Sequence, residues 1–82
     1  MSYTTENIAV LEVLMLFDPS TSQEGIKIHK TAESTLISAA QSLFDKGFIT
    51  QVDGGYLTSL GHEAAEHAQS LYIMLNAHSG TV

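Results

Sequence analysis

The sequence predicts a single α+β domain over residues 1–82, built as helix, strand, helix, hairpin, helix, with three helices and a small three-stranded antiparallel sheet. Three observations lead there. Apolar residues recur at three- and four-residue spacing in three separate stretches, the mark of helices with a buried side. The spacing changes to two in 25–29 and 48–58, the mark of half-buried strands. Pro19 and the Asp53-Gly54-Gly55 run punctuate the chain where turns are needed.

The first helix is expected from a cap at Thr4 or Thr5 to about Phe17, ahead of Pro19, which disfavours helical geometry in the residue before it. Glu6 suits its positive N-terminal end. Ile8, Leu11, Leu14 and Met15 form one apolar stripe and Val10, Val13 and Phe17 a second, so this helix is buried on more than one side. Pro19 to Gln23 reads as a loop. Gly25 to His29 then alternates, with Ile26 and Ile28 facing in and Lys27 and His29 facing out.

Thr31 is the expected cap of a second helix over Ala32 to Lys46, with Leu36, Ile37, Ala40, Leu43 and Phe44 inward. Its outer face carries Thr35, Ser38, Gln41 and Ser42. Lys46 and Gly47 suit its C-terminus, the one by charge and the other by its freedom to adopt positive φ. Strands 48–52 and 56–58 flank Asp53-Gly54-Gly55, whose glycines permit a tight turn. Thr58 or Ser59 caps a last helix to about Ala77, with Leu60, Ala64, Ala68, Leu71 and Leu75 inward. Residues 78–82 are expected to fray.

Composition excludes several function classes. With no cysteine, a disulfide scaffold or a Cys-based zinc site is impossible, and a reducing, cytoplasmic setting is expected. The longest apolar stretch, Ile8 to Phe17, is interrupted by Glu12 and is too short to span a bilayer, so no membrane role is expected. Nine acids against Lys27, Lys30 and Lys46 give a formal net charge of −6. Nucleic-acid binders show the reverse balance, because phosphate neutralisation supplies most of their affinity.

His62, Glu63, Glu66 and His67 do not make a zinc motif, since the histidines are five apart and fall on different helical faces. No metal or other cofactor is expected. No nucleophile, base and acid stand in a recognisable motif either, and Gly54-Gly55 is a turn and not a phosphate loop, so the chain is expected not to be an enzyme. Lys27, His29 and Lys30 form the one basic cluster. Two readings of it stand: phosphate contact beside a helix N-terminus, or solvent decoration that protects an edge strand from aggregation. The excess apolar surface on both terminal helices predicts a homodimer through Leu11, Met15, Leu71, Tyr72, Met74 and Leu75.

The stretch from Leu43 through Lys46-Gly47-Phe48-Ile49, then Gly54-Gly55-Tyr56-Leu57-Thr58-Ser59-Leu60-Gly61, resembles the winged-helix regulators. In that family the recognition helix ends in a leucine and a Lys-Gly-hydrophobic-Ile run, a wing hairpin follows, and a Leu-Thr-x-x-Gly turn opens another helix. Over its full length the chain also resembles a small bacterial family labelled as DNA-binding proteins or regulators. The resemblance implies a winged-helix fold and a DNA-binding, transcription-regulating role. Under that implication Lys27, His29 and Lys30 would touch phosphate, and Thr35, Ser38, Gln41 and Ser42 would face the groove. The chain departs from the pattern: residues 18–31 hold a loop and a strand where a supporting helix belongs, the reading helix has no arginine, and Asp53 stands at the wing tip. The acidic charge weighs against direct DNA contact. The alternative expectation is an acidic winged-helix module that binds another protein.

Overall fold

A computed structural model describes residues 2–20 and 24–77. The elements are α1 (Thr5–Leu14), β1 (Ile26–Lys27), α2 (Ser34–Asp45), β2 (Ile49–Gln51), β3 (Gly54–Leu57) and α3 (Ser59–Asn76), an α+β fold in the expected order. The sheet is antiparallel with strand order β1-β3-β2. Part of the expected loop, residues 21–23, and the tail at 78–82 lie outside the described residues.

Thr4 caps α1 through a reciprocal pair of bonds: its hydroxyl accepts from the Asn7 N–H at 3.0 Å, and the Asn7 side chain accepts from the Thr4 N–H at 3.1 Å. The helix stops at Leu14, three residues short of the expected end. The N–H groups of Leu16 and Phe17 bond to Val13 and Leu14, three residues back, which tightens the last turn and swings Phe17 into the core. The Asp18 carboxylate then accepts from the Ser20 hydroxyl and N–H, closing a local turn and holding its pKa below the ordinary carboxylate value.

The second helix also starts late. Thr31 is not its cap: the Ala32 N–H bonds to the His29 carbonyl, forming a turn, and the cap position falls to Glu33, whose side chain makes no capping bond. Its C-terminus follows expectation. Gly47 adopts φ +84°, its N–H reaches the Phe44 carbonyl at 3.1 Å, and the Phe48 N–H reaches Leu43 at 2.9 Å.

The hairpin differs in the position of its glycines. Gln51 pairs with Gly54, so Val52 and Asp53 form the turn, and both glycines stand in the central strand. They are needed there because β3 is approached on both sides. A Cβ on Gly54, where φ is +126°, would lie 2.5 Å from the Ile26 carbonyl. On Gly55 it would collide with the Thr50 hydroxyl.

The core is made of Ala9, Val13, Leu14 and Phe17 from the α1 segment, Ala39, Ala40 and Leu43 from α2, Ile49, and Ala65 and Ala68 from α3. This corrects the inward stripes of all three helices. On α1 the buried line runs Ala9–Val13–Phe17, while Ile8 is exposed. On α2 Ala39 replaces Ile37 and Phe44, and on α3 Gly61 and Ala65 replace Leu60, Leu71 and Leu75, while Ala68 is buried as expected. Small side chains let the helices approach closely, and the larger neighbours are displaced outward.

Gly61 marks the tightest approach: a Cβ there would sit inside the Phe48 carbonyl oxygen. Alanine improves helix propensity by about 1 kcal/mol, but moving backbone to relieve the overlap costs about 3 kcal/mol, so the clash wins. Urea unfolding should therefore show Gly61→Ala destabilised by about 2 kcal/mol or more. Gly47→Ala meets open space and carries only the left-handed backbone cost, about 1 kcal/mol. A neutral Gly61→Ala would mean the helix does not pack that closely.

Candidate functional site: the hairpin face and the terminal-helix groove

The sheet register sets the first surface. Lys27 pairs with Gly54 across β1 and β3, which places its ammonium 3.6 Å from the Asp53 carboxylate at the hairpin turn. Both side chains are solvent-accessible, and among the described residues this is the only ion pair. The Ile28 N–H bonds to the Asp53 carbonyl at 2.7 Å, tying the segment before α2 to the turn. Beside it, Ile28, Ile37, Val52 and the buried Ala40 line a notch of about 140 Å³ together with His29, Lys30, Gln41 and Asp53. The notch is below the roughly 300 Å³ of small-molecule pockets and has room for a single side chain, but it adjoins a wider hollow of about 600 Å³ lined by Lys27, Lys30, Thr31 and Asp53 on the same face.

The structure divides the residues that the winged-helix resemblance assigns to nucleic acid. Lys27, His29, Lys30 and Gln41 gather around the hairpin. Thr35 and Ser38 line a different groove, between the N-terminal ends of α1 and α2, together with Thr5 and the Glu6 carboxylate. Ser42 is half-buried and lines neither. An anion entering the Thr35–Ser38 groove would meet Glu6, so that groove is electrostatically wrong for phosphate. Ile37 and Val52, which the notch exposes, had no functional signal in the sequence. Periodicity placed Ile37 inside, and only the adjacent Ala39-Ala40 pair hinted that the contact side lay elsewhere.

The second surface lies between α1 and α3. Ile8, Leu11 and Met15 face Leu71, Tyr72 and Leu75 across an apolar groove of about 490 Å³, with Ala68 at its floor and Glu12 its one charged lining residue. Five of the six residues expected at a dimer contact line it: Leu11, Met15, Leu71, Tyr72 and Leu75. Met74 stands next to them on α3, 69% exposed. The helical histidines serve no common centre. His62 Nδ1 is 3.2 Å from the Pro19 carbonyl oxygen, where its N–H tautomer donates, and Gln69 donates to Phe17 at 3.0 Å, so both pin the loop after α1 against α3. Among the described residues no three His, Asp or Glu side chains converge as metal ligands would, and no helix is long and apolar enough to cross a membrane.

An exposed ion pair contributes little in water. Asp53→Ala should accordingly change unfolding stability by less than about 0.5 kcal/mol, while freeing Lys27. A larger loss in a urea titration would show that the pair organises the hairpin.

No curated protein and no solved structure matches the chain. Residues 1–76 match the profile of a family of unknown function (DUF5669), and the chain belongs to that family.

Proposed function

We propose that this chain is a winged-helix-type domain of the transcription-regulator kind, without catalytic activity, that meets a protein partner through its α2–hairpin face instead of gripping DNA phosphate. The strand order β1-β3-β2, with α2 between β1 and β2 and a closing helix after the hairpin, supports the winged-helix reading. The observation that carries the choice of partner is the Lys27–Asp53 pair. A wing that binds DNA needs net positive charge at its tip, and here the turn carboxylate neutralises the nearest lysine. Lys30 is the cation left on that face, beside the His29 imidazole, with the exposed Glu33 close by in sequence at the start of α2. One or two phosphate contacts give little affinity at physiological salt. The apolar residues Ile28, Ile37 and Val52 that line the notch suit a protein side chain better than a phosphate. Cytoplasmic location is part of this proposal and rests on the absence of cysteine.

A second reading, direct DNA binding, is favoured by one observation: Lys27, His29, Lys30 and Gln41 share one face beside α2 and the hairpin. Fluorescence anisotropy of labelled mixed-sequence duplex DNA separates the two. The protein-partner reading expects no binding at about 150 mM salt and at most a weak, salt-quenched signal at about 20 mM. Micromolar binding that falls steeply with salt and disappears in Lys27→Glu/Lys30→Glu would overturn it in favour of DNA.

A further inference from the structure

The groove lies between α1 and α3. The α1 segment and α3 share the core at Phe17, Ala65 and Ala68, where Gln69 reaches the Phe17 carbonyl, and the residues of α3 after Gln69 lie outside that core. Beyond Ala68 and the half-buried Gln69, every residue of α3 is exposed. Yet this end is the most apolar part of the helix: Leu71 is 38% exposed, Tyr72 55%, Ile73 62%, Met74 69% and Leu75 74%. With about 3.6 residues per turn, five consecutive apolar residues encircle the helix, so no single neighbour can cover them all. One side faces the groove of its own chain, and the others face solvent.

We infer that a second copy of this chain fills the groove, the C-terminal turns of each α3 lying in the α1–α3 groove of its partner. Four observations select a second copy. One patch offers both a largely apolar groove (Ile8, Leu11, Met15, Leu75, with Glu12 its one charged lining residue) and, next in sequence on α3, the exposed Ile73 and Met74 available to fill such a groove. A two-fold interface requires both from the same patch. The mutual arrangement covers α3 on two sides at once. Residues 71–77 carry no charge, so two chains of formal charge −6 can meet there without opposing like charges on the helix itself. The area is also adequate: at roughly 200 Å² per large side chain, Leu71 to Leu75 leave about 600 Å² exposed. Ile8, Leu11 and Met15 bring the patch near the roughly 800 Å² per partner of a standard interface. Monomeric proteins seldom leave a contiguous patch of that size uncovered.

The interface lies apart from the α2–hairpin face, so a dimer would present two copies of that face, and neither proposal depends on the other. Sedimentation equilibrium on the full chain tests it. The wild type is expected to be a dimer at about 50 μM, and raising salt should tighten it, since screening relieves repulsion between two acidic chains. Met74→Asp/Leu75→Asp should weaken association about a hundredfold while the helical circular dichroism of the monomer persists, because both side chains are solvent-exposed within one chain. Should the aspartates unfold the chain, Met74→Gln/Leu75→Gln removes the apolar contact without charge and is expected to weaken association in the same direction. Val52→Asp, on the hairpin, should leave the dimer intact. A wild-type chain that stays monomeric up to about 500 μM overturns the inference and leaves the groove to another partner. So does a dimer unmoved by the substitutions at positions 74 and 75, or one dissociated by Val52→Asp.

Discussion

The fold depends on one close crossing, where the end of α2, the start of the hairpin and the first turn of α3 meet. Thr58 joins all three. Its N–H bonds to the Phe48 carbonyl at 3.0 Å, its hydroxyl donates to the Gly47 carbonyl at 2.6 Å, and the same oxygen accepts from the Gly61 N–H at 3.0 Å. One side chain therefore caps α3 and satisfies a carbonyl released by the left-handed turn that ends α2. The approach is close because position 61 has no Cβ. Such a junction sets the direction in which α3 leaves the sheet, and hence where its C-terminal turns end up relative to α1.

The same economy of volume runs through the core. Ala9, Ala39, Ala40, Ala65 and Ala68 hold much of the contact between helices, with Val13 and Leu43 as the largest fully buried side chains. Alanines stabilise little by area but allow short distances between helix axes. The consequence is an inverted distribution in which several larger apolar residues end on the outside. A chain of this size buries a modest fraction of its surface, and apolar groups left over from the core become the material for contacts with other molecules.

Electrostatics divides the surface in a complementary way. The cations Lys27 and Lys30 and the imidazole of His29 sit at the hairpin face, where the β1–β3 register brings Lys27 beside Asp53. The C-terminal end of α3 carries no charge at all. One face is thus suited to a polar, selective contact and the other to an apolar one, and they occupy separate parts of the molecule.

Much of the fold was legible in the sequence. Helix and strand order followed from periodicity. The Gly47 helix end and the starts of α1 and α3, each narrowed to two candidate caps of which Thr4 and Thr58 serve, followed from local backbone chemistry. The alternation of Ile26, Lys27, Ile28 and His29 likewise predicted which side of the strand would meet solvent. The facing of the helices could not be read in the same way. Helix α1 is apolar almost all round, so its periodicity has no single direction, and α3 is small where it packs and large where it does not. Hydrophobicity ranked Leu60, Leu71 and Leu75 above Gly61 and Ala65, whereas the distance between helix and hairpin ranked them the other way. The hairpin glycines show the same division: positive φ was foreseeable from residue type, but their place in the central strand was set by the carbonyl of Ile26 on one side and Thr50 on the other. What the sequence alone determined is therefore the set and order of the elements and those ends that rest on bonds within a few residues, the starts of α1 and α3 and the Gly47 end of α2, but not the end of α1, the start of α2 or the hairpin turn. Tertiary structure decided which faces are buried, which residues share a site, and where the apolar groove opens, because these depend on how closely distant backbones approach.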